Sequence, residues 1–248
     1  MSGEWWRGRL VGFDLETTSP LPEEARIVSA SIALCGGGEP TELRSWLVDP
    51  GVEIPAEATA VHGISTERAR AEGRPAPEAI EEICRALIAA PAGPLVIFNA
   101  RYDLTVLDRM LRRLGLGAVS DFGRWVVDPA VIDKWLDRYR KSYPRGVTPE
   151  QAAERGIPSS RTLGGMCRHY GAELDQAHDA GADAVAAARL AFVIAARGQV
   201  VRRVRNAEEG RERAMLRKRW DAVKDDLQLL HALQVELAIA ERARFAEY

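Results

Sequence analysis

The sequence predicts an α/β domain built on a mixed β-sheet, an antiparallel three-strand meander continued by parallel strands, flanked by helices and followed by a helical C-terminal tail. Three observations carry this. Three β-like apolar runs come first, joined by short turn-rich stretches, and short connections favour antiparallel neighbours. Helical and strand-like segments then alternate, the pattern of a sheet with helices packed on it. The last fifty residues turn charged and helix-prone.

The opening runs are "RLVGFDLE", "RIVSASIAL" and "ELRSWLV", separated by "TTSPLPEEA" and "CGGGEPT". Their bounding Gly, Pro, Thr and Ser residues mark turns. "APEAIEEICRALIAA" places Ile80, Ile83, Cys84, Leu87 and Ile88 at helical spacing. The apolar "PLVIFNA" reads as a buried strand, "YDLTVLDRMLRRLG" as a helix and "RWVVDPAVI" as a further strand. Helices follow near "TLGGMCRHYG" and over "ADAVAAARLAFVIAARG". Residues 142–160, "SYPRGVTPEQAAERGIPSS", are polar and rich in Pro, Gly and Ser with a short helix-prone middle, which reads as a surface excursion. No repeat or low-complexity tract interrupts the chain.

Composition is that of a globular protein: 46% hydrophobic, 28% charged, with a formal net charge of −2. A global basic field is excluded, so any nucleic-acid contact rests on local patches. No apolar run approaches the ~20 residues that span a membrane. Cys35, Cys84 and Cys167 are odd in number and scattered, with neither metal-type spacing nor a disulfide framework. Together with an N-terminal "MSGEWWRGRL" that lacks a secretory h-region, this leads us to expect a reducing, cytoplasmic setting.

The chemistry starts in "LVGFDLETT". Side chains at i and i+2 of a strand share a face, so Asp14 and Glu16 point one way, Phe13 and Leu15 the other. A buried, unpaired carboxylate is costly, whereas two on one face can share hard divalent cations. An edge strand with one solvated face fits the same pattern, and these residues alone leave both open. Two later segments add weight. "VIFNARYDLTVLDRML" sets Asp103 just past a buried strand, where a helix N-terminal acid favoured by the dipole is the plainer reading. "QAHDAGADAVAAARLA" sets His178 in a loop and Asp183 five residues on, with Asp179 competing as a simple capping residue.

Taken in order, "FDLETT", "NARYDLTVL" and "HDAGADA" resemble the three motifs of the DnaQ-like 3′–5′ exonucleases of the DEDDh subgroup, over roughly residues 8–197. The resemblance implies a ribonuclease H-like fold in residues 1–198 and a C-terminal extension over 199–248. It implies that Asp14, Glu16, Asp103 and Asp183 hold two Mg²⁺ or Mn²⁺ ions and that His178 is the general base. The expected substrate is the single-stranded or frayed 3′ end of DNA, releasing nucleoside monophosphates. RNA is the alternative substrate, and a low-turnover docking module the alternative class. "VHGIS" resembles a stretch that helps hold the terminal nucleotide, so His62 joins Leu15, Thr17, Asn99 and Tyr102 as expected substrate contacts. From the residues alone, His62, His169 and His231 read as ordinary packed or solvated histidines or as accessory ones. Asp128, in "VVDPAVID", resembles a frequent acid of that family and is expected either to support the metal acids from behind or to be structural; Asp133 and Asp137 read as solvated helix acids.

The 142–160 stretch has no counterpart in that pattern. Its basic flanks, Arg138, Arg140, Lys141, Arg145 and Arg161, suit either a substrate-guiding arm or a plain insertion. In the tail, residues 202–220 hold eight basic and three acidic side chains, which suits a phosphate backbone or a solvated helix face. Beyond it, Leu216, Trp220, Val223, Leu227 and Leu230 repeat at four–three spacing, continued by Leu233 and Leu237, with Asp225 or Asp226 placed to start a second helix. That stripe must bury itself on the domain, on a second copy, or on a partner such as a polymerase.

Overall fold

The computed structural model describes residues 4–138, 140–175, 177–197 and 207–246. Strands β1 (Arg9–Thr17), β2 (Ile27–Gly36) and β3 (Glu42–Asp49) form the expected antiparallel meander. Two short helices, α1 (Ala56–His62) and α2 (Thr66–Glu72), lead to the two-residue β4 (Arg74–Pro75) and to α3 (Ala76–Ala89). Then come β5 (Leu95–Val96), α4 (Ala100–Leu114), β6 (Val126–Val127), α5 (Pro129–Leu136), α6 (Pro149–Glu154), α7 (Leu163–Tyr170) and α8 (Ala180–Arg197). The sheet order is β4-β3-β2-β1-β5-β6, with β5 parallel to β1 and β6 parallel to β5. This is the mixed sheet of a ribonuclease H-like fold.

Alternation along β1 divides the core. Val11, Phe13 and Leu15 pack against the apolar faces of α3 and α4, through Ile80, Ile83, Leu87, Val106 and Leu107. Leu10 faces the other way, into the layer formed by α8, α5 and α7. Gly12 shares that second face, and a Cβ there would lie 2.2 Å from the Ala184 carbonyl oxygen. The missing side chain, with small Ala184 and Ala188 opposite, lets α8 lie directly on the sheet.

Several elements depart from the sequence reading. "RWVVDPAVI" pairs only at Val126–Val127, because Pro129 has no N–H for a ladder and the Asp128 carboxylate caps Ala130 N and Val131 N, opening α5. "PLVIFNA" pairs only at Leu95–Val96 before α4 begins. Helices α1 and α2, unforeseen, fill residues 56–72. Ile88 of α3 is exposed, since the helix turns it past the buried face.

The acids Asp133 and Asp137 are buried, not solvated. Asp133 pairs with Arg140, with Arg161 at 2.7 Å and with the Tyr170 hydroxyl at 2.9 Å; Asp137 pairs with Arg213 at 3.3 Å. Of the basic residues flanking 142–160, Arg140 and Arg161 are therefore turned inward, and Arg138 pairs with Glu212.

The tail forms α9 (Ala207–Val223) and α10 (Leu227–Ala246). Asp226 caps the second helix through Gln228 N and Leu229 N. The apolar stripe finds its cover within the chain: Leu216, Trp220, Leu227, Leu230 and Leu233 join Trp5, Trp6, Trp135 and Leu136 in the α8-side core. Arg202, Arg203 and Arg205 of the basic run, and the expected domain boundary near 198, lie outside the described residues. Cys35, Cys84 and Cys167 are buried free thiols. Among the described residues, no helix is long and apolar enough to cross a membrane.

Candidate active site

The site lies where β1 and β5 end and the first turns of α4 and α8 arrive. Asp14 and Glu16 occupy the α8-facing side of β1, and the close packing at Gly12 brings Asp183 over them. Ligand oxygens of Asp14, Glu16 and Asp183 lie within 4.8 Å of one another. Asp103, buried in the first turn of α4, stands beside this group, and its Oδ1 accepts the Leu15 N–H at 3.1 Å. The N–H between the two strand acids thus anchors the acid of the second motif.

His178 precedes α8 with φ +64°, a left-handed conformation uncommon for a residue with a Cβ. Its N–H donates to Asp183 Oδ2 at 3.2 Å, while the imidazole is solvent-exposed. Asp179 is the helix cap, accepting Ala182 N at 2.9 Å, which leaves Asp183 unencumbered by that duty. Asp183 Oδ1 is buried with no hydrogen-bond partner among the described residues.

The electrostatics follow from crowding. Loss of solvent, then the charges of Asp103, Asp183 and Glu16, hold Asp14 well above the usual carboxylate range. Burial and the Asp183 and Asp179 charges push Glu16 up to about 8. Burial also raises Asp103 and Asp183, each partly offset by an accepted main-chain N–H. Carboxylates this close cannot all ionise without a counter-charge. An all-oxygen donor set with one buried, unpartnered oxygen suits a hard divalent cation, so the residues present fit the metal that the sequence implied.

The expected substrate contacts divide. Thr17 Oγ1, the Tyr102 hydroxyl and the Ser19 carbonyl are mutually hydrogen-bonded at the rim, tying the end of β1 to α4. The strand pairing shifts register at Glu16/Thr17, a bulge that re-aims the chain there. His62, at the end of α1, accepts Ile64 N on Nδ1 at 3.1 Å. Its Nε2 is buried without a hydrogen-bond partner among the described residues, beside the Thr17 main chain. Asn99 takes φ +60° at the start of α4 with its side chain exposed. Leu15 points its side chain into the core, and its N–H is committed to Asp103.

Asp128 takes the structural role: its carboxylate accepts Asn99 N at 3.1 Å, Ala100 N at 2.9 Å and Ala130 N at 2.9 Å, fixing the chain just before Asp103. Two supports were missed. Ser19 contributes only a carbonyl, which no motif records. Gln234 of α10 binds the β6 edge, and the signal was there: His231 and Gln234 are polar residues inside the apolar stripe.

Residues 11–191 match the exonuclease family model RNase_T. This chain belongs to the DnaQ-like exonuclease family. No curated protein matches. Among solved structures, the exonuclease resembles E. coli exonuclease I in complex with a dT13 oligonucleotide at 22% identity and a TM-score of 0.59, over 77% of this chain and 41% of that one. The zinc-bound complex of E. coli exonuclease I with single-stranded DNA gives 21%, 0.60, 77% and 41%. A product-bound exonuclease I gives 20%, 0.59, 77% and 44%. The chain thus spans less than half the length of these enzymes.

Proposed function

We propose that this exonuclease removes nucleoside 5′-monophosphates from the 3′ end of single-stranded or frayed DNA, using divalent metal and a histidine base. The convergence of Asp14, Glu16 and Asp183 within 4.8 Å, on a strand and a helix far apart in sequence, carries the reading. Asp14, Glu16, Asp103 and Asp183 would hold two Mg²⁺ or Mn²⁺ ions, which when bound lower the pKa of the attacking water and offset charge on the leaving 3′-oxygen. His178, exposed at the mouth, is placed to accept the water's proton as general base. Its N–H to Asp183 ties the base to the carboxylate cluster. His62 and the Thr17–Tyr102 pair line the rim on which the terminal nucleotide would rest.

The structural neighbours bound to dT13 and dA16 support DNA as substrate. A docking module without turnover has no need of such a carboxylate cluster. The helices of the tail spend their main stripe inside the chain, so a polymerase or second copy would meet Leu229, Val235 and Ile239, which remain exposed. Free thiols suit a reducing, cytoplasmic setting. The test is a product ladder from 5′-labelled single-stranded DNA and RNA with Mg²⁺ or Mn²⁺. We expect stepwise 3′ shortening of DNA, lost with EDTA and in Asp14→Ala. Shortening of RNA alone moves the substrate to RNA, and no shortening of either overturns the reading.

A further inference from the structure

Glu16 is gripped from both sides by two adjacent residues of one helix. Ahead of it, the Leu15 N–H donates to Asp103 Oδ1 at 3.1 Å. Behind it, Thr17 Oγ1 is hydrogen-bonded to the Tyr102 hydroxyl, and both bond the Ser19 carbonyl oxygen, Thr17 at 3.2 Å. Tyr102 and Asp103 are neighbours at the start of α4, about 100° apart around its axis, so one reaches each flank.

The second grip stands where the strand needs it. Glu16 pairs with Ser29, but Thr17 pairs with Ile27, so the β1–β2 ladder slips directly after the acid. A bulge interrupts regular pairing and re-aims side chains, which leaves Glu16 without an even ladder on its C-terminal side. Thr18 closes the connection toward β2: its N–H donates to the Arg26 carbonyl at 3.0 Å, and its hydroxyl accepts the Arg26 N–H at 3.0 Å. Toward α4 that work falls to Tyr102. Thr17 and Tyr102 hold two hydroxyl protons between them. The triangle with the Ser19 carbonyl uses both, so neither is left over as a donor to a nucleotide.

We propose that Tyr102 is a positioning residue of the carboxylate site: its hydroxyl holds Thr17, fixes Glu16 relative to Asp103, and so presets the acids for a divalent cation. The proposal rests on reading these carboxylates as a metal site and gives that site its support. The Tyr102 ring packs against the core layer of α3 and α4, while the hydroxyl serves the acids. Groups that orient a metal ligand without touching the metal typically change its affinity 10–100-fold when removed. A phenylalanine here would pack the same way and leave Glu16 held from the Leu15 side alone.

The experiment is a calorimetric titration of the full chain with Mn²⁺, without nucleic acid, for wild type, Tyr102→Phe, Thr17→Val and the double variant. Urea unfolding in EDTA and cleavage of 5′-labelled oligo(dT) accompany it. The Thr17–Ser19 bond survives in Tyr102→Phe, so its urea midpoint should stay close to wild type. We expect this variant to bind Mn²⁺ 10–100-fold more weakly and to recover cleavage as Mn²⁺ is raised. The double variant should lose less than the product of the single losses, because both hydroxyls act in one clasp. Wild-type Mn²⁺ affinity in Tyr102→Phe would overturn the proposal, and a raised KM for the oligonucleotide beside it would make the phenol a substrate contact instead. Single losses that multiply would overturn it too, as would a weaker affinity that only follows a fallen urea midpoint. Weakened Mn²⁺ binding by Tyr102→Phe, in a protein whose wild type cleaves nothing, leaves the clasp standing and sinks the exonuclease reading. Cleavage by a wild type whose Mn²⁺ affinity ignores the substitution does the reverse.

Discussion

The side-chain oxygen of Gln234 accepts the main-chain N–H of Asp128 at 2.6 Å, and its amide nitrogen donates to the Val126 carbonyl at 3.0 Å. With His231 Nδ1 on Val126 N at 3.2 Å, helix α10 satisfies the outer edge of β6, which would otherwise offer unpaired groups. The contact reaches further, because the Asp128 carboxylate binds Asn99 N and Ala100 N, four and three residues ahead of Asp103. The tail thus braces the sheet end that carries the site. Gln234→Leu leaves the buried Asp128 N–H unpaired and removes a donor from the part-buried Val126 carbonyl, and we expect a loss of about 1–3 kcal/mol. Urea unfolding will show a lower midpoint at unchanged slope.

The crowded carboxylates make the metal-free protein sensitive to pH in a stated direction. Asp14, Glu16, Asp103 and Asp183 all have raised pKa values when folded, Glu16 to about 8. Through the range between the ordinary carboxylate pKa and about 8, the folded state therefore binds more protons than the unfolded one, and stability falls as pH rises. In EDTA, Tm should decline from about pH 5 to about pH 8. Mn²⁺ binds the ionised site, so at 100 times its Kd it should restore about 2.7 kcal/mol and release protons as it binds. Asp14→Asn removes one of the crowded charges, and its metal-free form should melt higher than wild type at pH 8 while showing no nuclease activity. A metal-free Tm that rises over this range would contradict the assignment.

Gly12 sets the distance between the two halves of the carboxylate cluster. A methyl group there would sit 2.2 Å from the Ala184 carbonyl oxygen, next in chain to Asp183. The neighbour is helix backbone and cannot swing aside, so α8 must shift from β1. We expect Gly12→Ala to cost about 1–3 kcal/mol and to weaken Mn²⁺ binding by more than a destabilised but undistorted protein would show. Gly38→Ala, at an open turn position, should leave Mn²⁺ binding unchanged. Calorimetric titration of both variants with Mn²⁺ checks this.

These relationships show what a sequence can and cannot carry. The meander, the two faces of β1 and the acids of the three motifs were legible, because strand period and short turns are local and the acid set is ordered along the chain. Strands β5 and β6 were over-read, because an apolar run does not reveal that only two residues find ladder partners. Asp133 looked like a solvated helix acid. Arg140 lies only seven residues on, but Arg161 and Tyr170 come from beyond the 142–160 excursion, and nothing local marks a buried ion cluster. The tail's stripe was visible, but its partner was not: the Trp5, Trp6 and Trp135 that cover it are distant in sequence, and an apolar stripe names no partner by itself.

His178 joins two functions that one substitution can separate. Its main-chain N–H holds Asp183 Oδ2 at 3.2 Å, and its exposed ring is the proposed base. His178→Asn keeps the N–H, tolerates the left-handed backbone at φ +64° and removes the imidazole. We therefore expect wild-type Mn²⁺ affinity and thermal stability with turnover lower by about 10²–10⁴-fold. His178→Ala should lose turnover equally but pay an added cost in stability, because alanine gains nothing from the left-handed conformation that asparagine's side chain eases. If His178→Asn retains full turnover, the ring is not the base, and the residue serves only to position Asp183.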